Sequence, residues 1–269
     1  MTIYAEVIGD PIAHSKSPLI HNFWLEKLGI DASYRKTHVL AENLPAFFDL
    51  RRSDPDWRGC NITVPHKIAA LDHVADPGGV RDSIGAINCV IRDDDGQLIG
   101  TNSDAAGFYA PIADLDLAGQ TVAVIGAGGA ARAVLFALSR AGVGQVALFN
   151  RNVLKGAALL AAFGLKGKVH GLGERLPPAA LLVNASSLGM EGQPQLDIDL
   201  SPLPDDALVY DLVYAPLVTP LLAAAEARGL EAVDGLEMLV GQAAVAFELF
   251  FGLPAAREHD EDLRDLLTQ

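Results

Sequence analysis

The sequence predicts an α/β protein of two domains: an α/β domain at the N-terminus and a doubly wound, Rossmann-type nucleotide domain. Three observations carry this. Residues 121–151 read as strand, glycine turn, helix and strand, a unit of about 30 residues. Apolar strand-like runs alternate with helical spacing along most of the chain. The length of 269 residues is enough for two separate cores.

Residues 3–8 form the first predicted strand, closed by a Gly9-Asp10-Pro11 turn. Ser15 and Ser17 bracket Lys16 just ahead of a helix over 19–28. Two hydroxyls with free helix amides would make an anion site of carboxylate size, but spacing alone favours helix capping by Ser17, with Pro18 at the first helical position. A strand over 33–39 and a helix over 44–52 follow. Residues 60–64 read as a strand with Asn61 and Thr63 at alternate polar positions. Pro65-His66-Lys67 then leads into a helix predicted over 68–74. The positive end of a helix dipole disfavours an ammonium, the tuning that a proton-transferring lysine needs; a plain surface lysine is the commoner case. A strand over 85–91 carries Asn88, 92–96 is an exposed hairpin turn, and 97–100 returns. Asp104 either caps a helix over 107–115 or, beside Lys67, makes a proton-handling couple.

The apolar run 122–125 has the length and β-branching of a buried parallel strand. Gly126-Ala127-Gly128-Gly129-Ala130-Ala131 matches G-x-G-x-x-[G/A] between that strand and a helix. Gly126 allows the tight turn, Gly128 and Gly129 let a pyrophosphate reach the backbone, and the helix start near Ala130 aims amides at it. A second strand over 146–149 ends in Asn150-Arg151-Asn152, with Lys155 one turn on. An NAD site usually has a carboxylate there; a guanidinium suits a 2′-phosphate, so the predicted cofactor is NADP. Between Asp116 and Glu174 there is no acidic residue, where an even spread would put roughly seven. The remaining elements are a helix over 153–163, strands over 168–170, 180–184 and 208–213, a helix over 219–228, a strand over 231–233, and helices over 236–250 and 257–267. The loop 185–190 follows a strand's carboxyl end, the edge where open α/β sheets bind ligands. No linker-like tract appears, so the domain joints are expected near 104–107 and 234–236.

Half the residues are hydrophobic and a fifth charged, with a net charge of −14. An ordered globular chain follows, with nucleic acid and anionic membrane excluded as partners. Cys60 and Cys89 sit in apolar runs and read as buried free thiols of a reducing cytosol. The first ten residues lack a basic region followed by an apolar core, so no signal peptide is expected. The histidines show no ligand spacing, so no metal is expected. Nothing in the pattern decides between monomer and homodimer.

Several stretches together resemble the shikimate/quinate dehydrogenase family: GDPIAHSKSP, CNITVPHK, GAINCV, TNSDAAG, GAGGAAR, FNRN, NASSLGM, YDLVY and DGLEMLVGQAA, in the family's order across nearly the whole chain. The resemblance implies a substrate domain over 1–105 completed by 236–269, an NADP domain over 106–235, and an active site in the cleft. It implies Lys67 and Asp104 as the catalytic pair. Ser15, Ser17 and Tyr214 would hold the substrate carboxylate, and Asn61, Thr63, Asn88 and Gln242 the ring hydroxyls. Gly126, Ala127, Gly128, Gly129, Ala130, Asn150, Arg151, Asn152, Lys155, Leu212 and Gly235 would line the cofactor. The implied reaction is reduction of 3-dehydroshikimate to shikimate by NADPH in a cytoplasmic enzyme of aromatic amino acid biosynthesis. Use of quinate or NAD, or a non-catalytic NADP sensor, are the alternatives. The family pattern is broken at Asn152, where threonine is usual, and at Lys155, where arginine is usual. It also departs at Cys89, Ala105 and Ser186.

Overall fold

The computed structural model describes residues 2–93 and 95–269; Asp94, inside the predicted hairpin turn, lies outside them. The chain divides into two compact units, Met1–Asp104 with Val240–Gln269, and Ala105–Leu239.

The first unit is built on a five-stranded sheet of β1 (Ile3–Gly9), β2 (Ala32–His38), β3 (Trp57–Ile62), β4 (Cys89–Arg92) and β5 (Leu98–Thr101), in the order β2-β1-β3-β4-β5. β1 runs parallel to β2 and β3, and β4 antiparallel to β3 and β5. Helices α1 (Ser17–Lys27), α2 (Leu44–Arg52) and α3 (Val80–Ser83) connect the strands. The interior strand β1 is buried along almost its whole length, as its apolar run requires. Glu6 is the exception in composition: fully buried, its carboxylate accepts from Arg51 Nε at 2.5 Å, from Trp57 Nε1 at 2.8 Å and from the Thr37 hydroxyl. A buried charge persists only with such partners. Cys60 and Cys89 are free and buried.

The second unit begins with α4 (Asp104–Tyr109), whose first residue belongs to the first unit. Its strands β6 (Thr121–Ile125), β7 (Gln145–Phe149), β8 (Gly167–His170), β9 (Leu181–Asn184), β10 (Leu208–Asp211) and β11 (Glu231–Val233) form one six-stranded sheet, in the order β11-β10-β9-β6-β7-β8. Every pairing in it is parallel. This is the Rossmann order, with the reversal at β6. Helices α5 (Gly129–Arg140), α6 (Val153–Ala162) and α7 (Pro220–Ala227) lie in the β6–β7, β7–β8 and β10–β11 crossovers. Alternate residues of β6 serve opposite layers: Val122 and Val124 enter one apolar cluster, Ala123 and Ile125 the other. Two terminal helices follow, α8 (Gly235–Phe251) and α9 (Asp260–Thr268). No helix among the described residues is long and apolar enough to cross a membrane.

Four predicted elements differ; the helix expected over 257–267 opens as a 3-10 turn, Arg257–His259, before α9. The helix expected over 68–74 is a 3-10 segment, Ala69–His73. The Lys67 carbonyl is taken by Ile87 N at 2.8 Å, so that no α-helix grows from this junction and the dipole argument for Lys67 falls away. The helix expected over 107–115 starts at Asp104 and gives way after Tyr109 to the 3-10 turn Ala110–Ile112, where Pro111 supplies no N–H. The strand expected over 85–91 begins only at Cys89.

Candidate active site

Lys67 follows the β3 exit, and Asp104 opens α4. Lys67 Nζ donates to Asp104 Oδ2 at 2.5 Å, with side-chain exposures of 16% and 5%. The Asp104 carboxylate thus meets Lys67 instead of capping the helix. Asn102 Oδ1 accepts from Asp104 N at 2.9 Å and serves the helix start, which leaves the Asp104 carboxylate for Lys67. The other oxygen, Oδ1, accepts from Asn88 Nδ2 at 2.8 Å.

Asn88 is the hub of this cluster. Its Nδ2 also faces Ser103 Oγ at 2.9 Å and Gln242 Oε1 at 3.2 Å, and its Oδ1 takes Ser103 N at 2.7 Å. Asn61, one strand over, donates to the Asn88 carbonyl at 3.2 Å and accepts from the Tyr34 hydroxyl at 2.6 Å. Lys67, Asp104, Asn61, Asn88 and Gln242 are therefore gathered, from points far apart in the chain. Ser103 and Tyr34 belong with them and were not anticipated. Burial pushes the Cys89 thiol well up, and the nearby Asp104 charge adds to it, so this cysteine stays protonated.

Thr63 stands just past β3, its backbone N bonded to Ile8 O at 3.0 Å. A Cβ on Gly9 would come within 2.5 Å of the Thr63 methyl, so the strand β1 must end in glycine here. At the start of α1 the capping position is held by Lys16, and no side-chain oxygen caps the helix. The capping role offered for Ser17 is thus absent. The nearest contact of the pair is Ser17 N to Ser15 Oγ, at a long 3.4 Å.

In the second unit, Gly126 follows β6 with φ of +109°, and a Cβ there would lie 2.8 Å from the Ala185 carbonyl oxygen. Only glycine fits both the backbone conformation and the approach. Gly128 occupies the capping position of α5 with no side-chain cap, and a Cβ there would meet nothing within 4 Å. Uncapped amides of a twelve-residue helix, opening on free space, suit a pyrophosphate. Ala127 is buried beneath this turn, and Gly129 and Ala130 form the first turn of α5. At the β7 exit, Asn150 Nδ2 donates to Asn152 O at 2.8 Å, and Asn152 Oδ1 caps α6 through Lys155 N at 3.0 Å. Arg151 and Lys155 are exposed.

Leu212 and Tyr214 leave β10 beside Asn184, whose carbonyl accepts from Leu212 N at 3.0 Å. Burial pushes the Tyr214 phenol up. A Cβ on Gly235 would lie 2.6 Å from the Leu212 carbonyl oxygen, so glycine is required there too. The pattern had not singled out Asp211. Fully buried, it accepts from Asn184 Nδ2 at 2.9 Å, Val213 N at 3.0 Å and the Thr219 hydroxyl at 2.7 Å, and so fixes the exit of β10. The only sequence signal was a polar residue closing each of two apolar strands.

Family profiles match three consecutive stretches: a shikimate dehydrogenase substrate binding domain over residues 7–90, a shikimate/quinate 5-dehydrogenase over 110–187, and a shikimate 5′-dehydrogenase C-terminal domain over 235–262. The shikimate dehydrogenase (NADP(+)) of Sphingopyxis alaskensis is 66% identical over 265 residues, covering 98% of this chain and 97% of its own. The chain belongs to the shikimate dehydrogenase family. Among solved structures, the Thermus thermophilus family member in complex with NADP(H) and shikimate matches with a TM-score of 0.86 and 37% identity, over 98% of this chain and 99% of its own. The ligand-free 5-ketofructose reductase of a Gluconobacter strain matches with a TM-score of 0.88 and 29% identity, over 99% of each chain. The shared fold therefore serves more than one substrate.

Proposed function

We propose that this chain catalyses the reversible, NADPH-dependent reduction of 3-dehydroshikimate to shikimate, in keeping with relatives named as NADP(+)-dependent shikimate dehydrogenases. The observation that carries the reading is the Lys67–Asp104 pair, largely shielded from water and ringed by the amides of Asn88, Asn61 and Gln242. A lysine so placed can hand a proton to a developing alkoxide, and the amides can take ring hydroxyls.

NADPH, when bound, supplies the hydride to the C3 carbonyl carbon of the substrate. Gly126–Ala130 would hold its pyrophosphate, and Asn150, Arg151, Asn152 and Lys155 its 2′-phosphate, with Leu212 and Gly235 lining the remainder. Lys67 Nζ donates a proton to the C3 oxygen as negative charge develops there; in the reverse direction neutral Lys67 accepts it. Asp104 holds Lys67 in place and accepts from the neighbouring hydroxyl. Ser15, Ser17 and Tyr214 are assigned to the ring carboxylate, and Asn61, Thr63, Asn88 and Gln242 to the hydroxyls. The partners of this cytoplasmic enzyme, monomeric or homodimeric, are its substrate and cofactor.

The test is oxidation of shikimate and of quinate, each with NADP and with NAD, followed by the absorbance of the reduced nicotinamide. Turnover of shikimate with NADP in clear preference to the other three pairings is expected. Turnover favouring quinate or NAD moves the enzyme to the broader dehydrogenase class, and silence in all four abandons the reading.

A further inference from the structure

The reading above leaves Tyr34 without a part, yet its hydroxyl enters the polar cluster from behind. Tyr34 lies on β2 and is almost wholly buried. Its backbone is clamped to α1 on both sides: Tyr34 N donates to Asn22 Oδ1 at 2.9 Å, and Asn22 Nδ2 donates to Tyr34 O at 2.7 Å. Its ring stacks on His21, with centroids 3.9 Å apart and planes 3° from parallel. The phenol is therefore held rigidly, and burial keeps it in its neutral, donating form.

The phenol ends on Asn61 Oδ1 at 2.6 Å, while Asn61 Nδ2 donates to the Asn88 carbonyl at 3.2 Å. The two contacts select one orientation of the amide. A backbone carbonyl can only accept, so the Asn61 nitrogen must face Asn88; the Asn61 oxygen must then face Tyr34, which donates. A primary amide has two N–H bonds and two oxygen lone pairs. One of each is consumed here, and one of each is left to meet a hydroxyl group as donor and acceptor together.

We infer that Tyr34 is a positioning residue: through its hydroxyl it locks the Asn61 amide in the orientation that reads a ring hydroxyl of a cyclic polyol acid. The inference rests on the proposed assignment of Asn61 to the substrate. Without the Tyr34 hydroxyl, the Asn61 oxygen loses its buried donor and the amide is free to rotate or to turn its unmet acceptor elsewhere, so that substrate binding pays for reordering it.

The experiment is a double-mutant cycle of Tyr34→Phe and Asn61→Ala, read as KM for shikimate, kcat and KM for NADP. Wild-type turnover of shikimate with NADP is the control, and its failure strikes the activity reading itself. With that control positive, Tyr34→Phe, which keeps the ring and its stack on His21, is expected to raise KM for shikimate at least fivefold. Any fall in kcat is smaller, and KM for NADP is unchanged. In the Asn61→Ala background the same change is expected to add less than twofold. A KM within twofold of wild type overturns the role of Tyr34, as does an equal rise in the Asn61→Ala background, which marks a general structural effect. An Asn61→Ala enzyme with wild-type KM overturns it too, since there is then no contact to position.

Discussion

Lys67 Nζ stands 2.5 Å from Asp104 Oδ2, and the opposite oxygen of the same carboxylate is held by Asn88 at 2.8 Å. Asp104 is thereby fixed on two sides, and it passes that order to the ammonium. The pair is a shielded one, and removing one partner of such a pair costs about 3–5 kcal/mol in stability when the other stays charged and buried. Lys67→Ala should therefore lower kcat by about 10²–10⁴-fold, the usual worth of a positioned proton donor, with KM for shikimate changed only a few-fold. Steady-state kinetics with a parallel binding titration checks this. A loss confined to affinity moves Lys67 from proton transfer to binding.

The charged residues proposed to read the 2′-phosphate are exposed. Arg151 and Lys155 stand in solvent, and Asn152 spends its side-chain oxygen on capping α6. Discrimination between NADP and NAD then falls mainly on the Arg151 guanidinium, because a lysine lacks the bidentate fork. Arg151→Ala should raise KM for NADP about 10–100-fold, the worth of one or two charge-assisted hydrogen bonds, while KM for NAD stays nearly constant. Equal rises for both cofactors place the arginine elsewhere than at the 2′-phosphate.

Gly126→Ala introduces two faults at one atom. The backbone conformation at φ of +109° is one that L side chains avoid, and the new Cβ lies 2.8 Å from the Ala185 carbonyl oxygen. Strain of this kind costs about 1–3 kcal/mol. Since Gly126 and Ala185 close the ends of β6 and β9, relief requires the glycine turn to move. A lower thermal midpoint and a weaker NADP dissociation constant by fluorescence titration are expected together. An unchanged dissociation constant shows that the turn does not hold the cofactor.

How much of this could be read from the chain follows from distance along it. The β6–α5–β7 unit was legible because its signals are contiguous: a β-branched run, three glycines, then helical spacing. Residues 68–74 were misread because the apolar spacing is helical while the deciding contact, Lys67 O to Ile87 N, comes from 20 residues on. Asp104 could be placed only by its partner 37 residues earlier, and the Tyr34–Asn61 contact spans 27. Glu6 in the middle of an apolar strand gave no local hint that Trp57, Thr37 and Arg51 would meet it. Motif resemblance assigned roles to Lys67, Asp104, Asn61 and Asn88, but it was silent on Ser103, Asp211 and Tyr34, which hydrogen-bond to other side chains.

His21 supplies a pH dependence of stability. It is fully buried with neither ring nitrogen hydrogen-bonded, and the groups facing it are the rings of Trp24, Tyr34, Phe247 and Phe250. With no counter-charge there, burial alone pulls its pKa down to about 3. An unfolded chain's histidine titrates near 6.5. Below that value the unfolded state gains a proton that the native state refuses. The stability from keeping His21 neutral is therefore complete above about pH 6.5 and is lost as pH falls towards 3, at about 1.4 kcal/mol per pH unit. Carboxylates held low in the native state, such as Asp54, bend the curve in the same direction at lower pH. His21→Phe separates the two, because it keeps a ring against Tyr34 and removes the titrating group. Urea unfolding at pH 7, 6 and 5 should show the variant's slope shallower by close to one proton; the slope, not the absolute stability, is the readout. Identical slopes in the two proteins mean that the native state accommodates a protonated His21, and that the histidine is not the source of the acid sensitivity.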